Sequence, residues 1–282
     1  VYPGLYTAPS EDSSSVINLS GKRLAIRSCD GPEATIIDGL HAVRGVVAAG
    51  KNMTGSRLVG FTIRHGVPTA QDINGDGDCD TWEAQFGGGV LVHAGLFDVS
   101  DCIIHDNRAI FGGGLYMREG SGDLIGCTFD ANIAESGGGA VMSRDSSMSL
   151  EGSDFAGNTA TFTGGAIKAR FSNLIIMRSG FTENQAGTAG GAIYSSNGCK
   201  VLIGNSVFCG NFVKTGQINH VQGEWQNDGG NCFSDGCEDE DGNGYPDDCD
   251  PCPEDMAIDT DGDGLCDAID PCPEFAGPCL IG

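Results

Sequence analysis

The sequence predicts an all-β protein whose chain winds into a parallel β-helix, a solenoid in which each coil stacks on the one before it. Three observations support this fold class. A glycine pair followed by an apolar residue recurs with one period, an asparagine preceded by a large apolar residue recurs with the same period, and short alternating runs lie between them. Glycine supplies 46 of the 282 residues, about 16% where about 7% is usual, so many backbone positions need its conformational freedom.

The glycine pairs set the length of one coil. They follow one another at steps of 25, 25, 26 and 26 residues, at Gly88-Gly89-Val90, Gly113-Gly114-Leu115, Gly138-Gly139-Ala140, Gly164-Gly165-Ala166 and Gly190-Gly191-Ala192. Short β-rich runs at a fixed spacing, separated by Gly and Asn, favour one coil per repeat. A body that ends near Asp235 is then predicted to hold about nine coils and to measure roughly 43 Å at about 4.8 Å per coil.

The asparagine marker predicts what fills each coil. A large apolar residue stands three positions before each asparagine, in the pairs Ile104 and Asn107, Phe129 and Asn132, Phe155 and Asn158, Phe181 and Asn184, and Phe208 and Asn211. We expect the apolar residues to fill the interior and the asparagines to form a ladder of side-chain amides. Gly and Asn are also expected to supply the left-handed turn conformations that other residues reach only at a cost.

Two short motifs in these repeats resemble a known family. Gly-Gly-Ala-Ile occurs twice and Phe-x-x-Asn four times, and together they resemble the repeats of polymorphic outer-membrane proteins and of the wider pectin-lyase-like group. The resemblance covers about residues 85–215. It implies a right-handed, single-stranded parallel β-helix and an adhesive protein of a bacterial cell surface.

Charge and cysteine content divide the chain into a body, residues 1–236, and a tail, residues 237–282. Of the net charge of −24, the last quarter carries most, because 18 carboxylates and no Lys or Arg follow Lys214. Such charge disfavours nucleic acids and anionic membrane surfaces, and the chain has no apolar run long enough to span a membrane. The chain after Lys214 also holds seven of the 13 cysteines, which indicates an oxidising, extracytoplasmic location.

Residues 72–83 resemble the calcium loop of EF-hand proteins at every liganding position. Gly77 stands where that loop makes its sharp turn. Ile63 and Ile104 are 41 residues apart where one coil needs about 25, so we predict that a loop is inserted into the body at about residues 67–86. Its predicted Ca²⁺ ligands are Asp72, Asn74, Asp76, Asp78, Asp80 and Glu83.

The tail contains two further acidic loops, offset by 20 residues, and each ends in Asp-Pro-Cys-Pro. Over about residues 237–276 they resemble thrombospondin type 3 repeats, in which such runs wrap calcium. Closely spaced carboxylates repel one another unless a cation lies between them. The alternative is a disordered acidic linker that binds cations loosely. The resemblance implies the ligands Asp239, Asp241, Asn243, Tyr245, Asp247, Asp250, Asp259, Asp261, Asp263, Leu265, Asp267 and Asp270.

A catalytic alternative rests on one group of polar residues. Many pectin-lyase-like proteins cleave acidic polysaccharides with clustered acidic and basic side chains. The repeat period of this sequence places acidic and basic residues on successive coils, at Arg64, His65, His105, Asp106, Arg108 and Asp130. Placement on a solvated face would explain these residues equally well. A non-catalytic carbohydrate-binding module would instead expose aromatic side chains such as Tyr116 or Tyr194 along one face.

Two cysteines occupy equivalent positions on neighbouring coils. Cys102 and Cys127 are followed in the same position by Ser153, Ser179 and Ser206. Stacked Cα atoms at about 4.8 Å lie within disulfide range, so the pair is predicted either to form a bridge or to remain two buried thiols.

Together these patterns predict a secreted or cell-surface, calcium-binding protein with a structural or adhesive role. Its open coil ends and acidic tail suggest self-association, including a head-to-tail filament. Other expected partners are a cell-surface polysaccharide or protein, and the runner-up function is a polysaccharide lyase or hydrolase. We therefore expect a scaffold rather than an enzyme.

Overall fold

The computed structural model describes residues 1–10, 13–19, 21–68, 85–240 and 246–249. These residues form β-strands and turns with no α-helix, and the strands pair in parallel into the three sheets of a solenoid. The all-β parallel solenoid predicted from the repeats is confirmed.

The first sheet has nine strands, one from each coil. In their order across the sheet they are β1 (Gly4–Tyr6), β4 (Thr35–Asp38), β6 (Thr62–Arg64), β8 (Ile103–His105), β12 (Thr128–Asp130), β16 (Asp154–Ala156), β20 (Gly180–Thr182), β24 (Val207–Cys209) and β28 (Cys232–Ser234).

The second sheet has 14 strands, because most coils contribute two segments to it. They are β2 (Ser15–Asn18), β3 (Ala25–Arg27), β5 (Arg44–Val59), β7 (Val90–Ser100), β10 (Leu115–Arg118), β11 (Ser121–Ile125), β14 (Val141–Arg144), β15 (Ser147–Glu151), β18 (Ile167–Arg170), β19 (Asn173–Met177), β22 (Ile193–Ser196), β23 (Lys200–Gly204), β26 (Val221–Gln222) and β27 (Gln226–Asn227).

The third sheet has five strands and covers only the later coils. They are β9 (Arg108–Phe111), β13 (Ile133–Gly137), β17 (Thr159–Ala160), β21 (Gln185–Ala186) and β25 (Phe212–Val213). A glycine pair follows each of the first four of these strands and packs directly against the facing backbone. A Cβ added at Gly139 would lie 2.7 Å from the backbone of Thr159, so only glycine fits there.

Nine stacked strands enclose about eight turns, one fewer than the nine coils predicted. The difference arises because β6 pairs directly with β8, with Ile63 in register with Ile104. The 40 residues between these two positions therefore add only one rung to the nine-stranded sheet, although they exceed the length of one repeat.

The interior contains the two ladders that the repeats predict. Phe129, Phe155, Phe181 and Phe208 are fully buried, and neighbouring rings stack with centroids 4.6–4.9 Å apart. Beside them, the Oδ1 atom of each asparagine accepts hydrogen bonds from the asparagine of the coil before it. For example, the backbone N–H and the Nδ2 of Asn158 donate to Asn184 Oδ1 at 3.0 and 2.9 Å. The predicted phenylalanine core and amide ladder are confirmed.

The left-handed corners differ from the prediction in one respect. The ladder asparagines do not have positive φ; the residue immediately before each does, as in Asp106, Ala131 and Glu183 at φ 51–53°. The asparagine side chain must point into the coil to reach its neighbours, so the preceding residue makes the turn. Glycine takes this role at Gly157 and Gly210.

Candidate functional site

The polar residues that suggested catalysis do stack on successive coils. Arg64 on β6, His105 on β8 and Asp130 on β12 are register partners in the nine-stranded sheet. Their side chains therefore lie on the same face, at the corner where this sheet ends. The stacking predicted from the 25-residue period is confirmed.

Asp38, one coil earlier, organises the first part of this group. Its buried carboxylate accepts from Arg64 Nε at 2.8 Å and lies 3.1 Å from His65 Nδ1, and the N–H of Leu40 donates to it at 2.9 Å. Burial by itself would raise the pKa of Asp38, but these three hydrogen bonds outweigh it and the pKa is lowered. The sequence analysis missed Asp38, although it stands 26 residues before Arg64, one repeat away.

The histidines form a short series along the corner. The ring centroid of His65 lies 4.5 Å from that of His41 and 6.4 Å from that of His105. His105 Nδ1 lies 2.7 Å from the carboxylate of Asp106. Arg108 points away from this series and pairs with the exposed Glu135, with Nη2 and Oε1 2.9 Å apart.

This arrangement is a network of ion pairs and hydrogen bonds at one corner of the solenoid. Two pronounced surface cavities of the described residues, of about 650 and 550 Å³, are lined by other side chains. Among the described residues, no three His, Cys, Asp or Glu side chains are placed to hold a metal ion. The groups that could move a proton are present, but neither of these two cavities of the described residues is lined by them.

The predicted calcium ligands fall almost entirely outside the described residues. This applies to the whole inserted loop, Asp72, Asn74, Asp76, Asp78, Asp80 and Glu83, and in the tail to Asp241, Asn243, Tyr245, Asp250, Asp259, Asp261, Asp263, Leu265, Asp267 and Asp270. Of the set, only Asp239 and Asp247 can be placed. The calcium assignment therefore stays a prediction.

The start of the tail folds back on itself and onto the body. Asp247 accepts at Oδ1 from the N–H of Glu240 at 2.9 Å, and its own N–H donates to the carbonyl of Glu238 at 2.8 Å. Asp239 lines the cavity of about 550 Å³ together with Asp154 and Pro246. Two of the predicted ligands thus lie in an ordered turn at the junction between tail and body.

Among the described residues, two disulfides hold this junction, and each joins a cysteine of the body to a cysteine of the tail. Cys209, at the end of β24, is bonded to Cys237, and Cys232, at the start of β28, is bonded to Cys249. Ser234 also donates to Asp248 at 2.9 Å. The described start of the tail, residues 237–240 and 246–249, is therefore fastened to the last coil, and the oxidising location predicted from cysteine content fits these bonds.

Cys102 and Cys127 are free thiols rather than a bridge. Burial raises their pKa to about 11 and about 12. Cys102 Sγ accepts from the N–H of Phe61 at 3.4 Å, as Ser153 Oγ accepts from the N–H of Cys127 at 3.1 Å. The two cysteines continue a hydroxyl ladder, and their high pKa makes them unreactive.

The aromatic face expected of a carbohydrate-binding module is not formed by the predicted tyrosines. Tyr116 is 1% exposed and stacks on Phe86 with ring centroids 4.3 Å apart. Tyr194 is half-buried, with Lys168 Nζ 5.9 Å from its ring centroid. The expectation for Tyr116 is wrong, because an outer apolar cluster with Leu91 and Met142 covers it.

Comparison with known proteins supports the repeat assignment. Residues 181–196 match the model of the Chlamydia polymorphic membrane protein repeat. This segment contains Phe181, Asn184 and the Gly190-to-Ile193 motif, so the match falls on the residues that carry the resemblance. Searches of curated proteins and of solved structures gave no significant match. In the described residues, no helix is both long and apolar enough to cross a membrane.

Proposed function

We propose that this chain is a rigid, extracellular scaffold of a bacterial surface, with a structural or adhesive role and with calcium-loaded loops. The observation that carries the proposal is the pair of internal ladders, because the asparagine ladder satisfies the polar groups of one coil with those of the next and the phenylalanine stack fills the interior. A repeat stack of this kind makes a stiff rod whose side faces are free to bind. The match to a polymorphic membrane protein repeat supports a surface location.

Calcium is proposed as the ligand of the inserted loop and of the two tail loops. Ca²⁺ takes six to eight oxygen ligands, which the Asp and Asn residues at those positions can supply. Without a cation, the closely spaced carboxylates after Lys214 would repel one another. The disulfide-held turn at 237–249 would then serve as the fixed base on which the tail folds when calcium binds.

Self-association through the two ends is the second part of the proposal. The first coil exposes apolar side chains, with Tyr2 80% and Leu5 57% exposed, and β1 is the outermost strand of its sheet. Lys22, Arg23 and Arg27 lie near this end, whereas the opposite end carries the acidic tail. An apolar surface with these three cations at one end and the acidic tail at the other would be the two unlike surfaces that a head-to-tail contact requires.

Calcium binding is tested by titration calorimetry on the full chain. The inserted loop is disabled by Asp72→Asn with Asp76→Asn, and one tail loop by Asp259→Asn with Asp261→Asn. We expect each double variant to lose part of the calcium heat of the parent chain. Unchanged calcium binding in both variants would disprove these sites.

Assembly is tested on the same preparations by negative-stain microscopy and light scattering, in millimolar calcium and after chelation. We expect ordered oligomers or fibres that dissolve when calcium is removed. Leu5→Asp, which puts a charge on the exposed end, should abolish them. Monomers at high concentration in both conditions would contradict the filament model.

A further inference from the structure

An open groove runs along one corner of the solenoid, away from the histidine corner and the tail. It has a volume of about 650 Å³ and lies where the two segments of each coil in the 14-strand sheet meet. Ala94, Glu119, Asp145 and Phe171 follow one another along it, one per coil. Its other wall carries small polar side chains that are register partners on β11, β15 and β19, namely Ser121, Ser147 and Asn173.

The charges at this corner are largely neutralised within each coil. Arg118 Nε lies 3.0 Å from Glu119 Oε1, and Arg144 Nε lies 3.3 Å from Asp145 Oδ2. On the third coil the pattern changes, because the residue after Arg170 is Phe171 and the guanidinium lies over its ring at 5.2 Å. An aromatic side chain thus replaces the acid at one end of the groove.

Phe171 has a left-handed backbone conformation, which is unfavourable for a bulky aromatic residue. Its φ is 51°, in the left-handed region, and its side chain is 51% exposed. For a bulky residue that conformation is costly, and an exposed ring recovers little of the cost by burial. The equivalent corners on neighbouring coils have Asp145 and Asn197, which are the residue types that tolerate this region.

We propose that this groove binds a neutral oligosaccharide that runs along the solenoid axis and stacks one sugar ring on Phe171. Hydroxyl and amide groups in register offer hydrogen bonds at a spacing of about 4.8 Å, close to the length of one pyranose unit. The two Arg–acid pairs provide both donors and acceptors and carry no net charge between them, and Arg170 lies over the ring of Phe171. The inference rests on the proposed adhesive function and names the ligand class of that surface.

A peptide ligand fits this surface less well. Peptides commonly add a strand to an exposed sheet edge, but β14 pairs with both β10 and β18, and β15 pairs with both β11 and β19. The groove therefore offers no free backbone groups over these coils. Its lining is mostly polar, with Phe171 as the exposed large apolar residue.

The test uses the full chain in calcium on an array of neutral and acidic glycans, followed by calorimetry with a neutral oligosaccharide that the array selects. Phe171→Asn should weaken binding at least tenfold, whereas Phe171→Tyr should retain it. Phe162→Ala is the matched control, because Phe162 is 54% exposed but lies outside the groove, and it should bind like the parent chain.

Thermal unfolding separates a binding role from a structural one. Because Asn197 occupies the same corner one coil later, Phe171→Asn should unfold at the same temperature as the parent chain or higher. A markedly lower Tm would show that Phe171 stabilises the fold and would overturn the inference. Selection of only acidic glycans, binding that survives Phe171→Asn, or no glycan binding at all would overturn it as well.

The same variants distinguish this inference from the proposed scaffold function. Phe171→Asn should leave calcium binding and calcium-dependent assembly unchanged, because the groove is remote from the tail junction. Loss of assembly in Leu5→Asp with glycan binding retained would show that the two surfaces act separately. Glycan binding without any assembly would support the groove and contradict the filament.

Discussion

The middle coils and the C-terminal junction are held together in different ways. Between about residues 102 and 211, each coil satisfies the polar groups of its neighbour through the asparagine and serine ladders, and Cys102, Cys127 and Cys199 are free thiols. At the end of the stack the next asparagine is missing. There Asn211 Nδ2 donates to the ring of His220 at 3.2 Å, and two disulfides fasten the tail over the last coil.

This contrast shows what repetition can and cannot supply. A ladder stabilises each rung only because an identical rung follows, so its last member has an unpaired group unless something else covers it. Covalent bonds are found where the repeat stops. The middle of the rod should therefore depend on side-chain identity and its end on disulfides and protonation.

Breaking the amide ladder should have the largest effect. In Asn184→Ala, the N–H and the Nδ2 of Asn158 both lose their acceptor, and each buried donor left unpaired costs about 1–3 kcal/mol. The free energy of unfolding, measured in urea, should fall by about 2–6 kcal/mol. Asn173→Ala, at an exposed position, is the control and should change it little. Equal effects of the two changes would contradict the ladder's role.

Removing one ring from the phenylalanine stack should come next. Phe155 is 1% exposed and lies between Phe129 and Phe181 at 4.9 and 4.8 Å. Phe155→Ala should lower the free energy of unfolding by about 3–5 kcal/mol through the cavity it leaves. The control is Phe162→Ala, because Phe162 is exposed and lies outside the stack. A similar decrease in the free energy of unfolding in this variant would contradict a special role of the phenylalanine stack.

Opening the junction should destabilise the end and spare the middle. Replacing Cys209 and Cys237 together by Ser removes one disulfide, which typically contributes about 2–4 kcal/mol. Hydrogen exchange should accelerate at amides of residues 232–249 and stay slow in β15 and β19. Cys102→Ser, which keeps a hydrogen-bonding group in the ladder, should leave both regions unchanged. Uniformly faster exchange along the rod would contradict a local cap.

Acidification should have the smallest effect, again at the end of the ladder. Burial lowers the pKa of His220, and Asp235 opposes this shift. The unfolded chain therefore binds the proton more readily than the folded chain. The contribution of neutral His220 to the free energy of unfolding is fully present above the ordinary histidine pKa of about 6.5 and is lost as the pH drops below it. Protonation of Nδ1 would also remove the acceptor for Asn211. Urea midpoints from pH 8 to 5 should fall less in His220→Gln than in the parent chain, and identical slopes would refute the assignment.

The sequence by itself determined the repeating part of this protein. The period, the stacked phenylalanines, the amide ladder and the alignment of Arg64, His105 and Asp130 all follow from residues that recur at one spacing, because in-register stacking brings equivalent positions together. The polymorphic membrane protein motifs were readable for the same reason.

Only the tertiary structure decided the features that depend on where the repeat is interrupted or how a corner turns. Asp38 joins Arg64 and His65, Cys209 pairs with Cys237, Tyr116 is buried under Phe86, and the ring of Phe171 is exposed in an open groove. None of these contacts repeats along the chain. Each arises from the position of a corner or an end in space, which a periodic pattern does not specify.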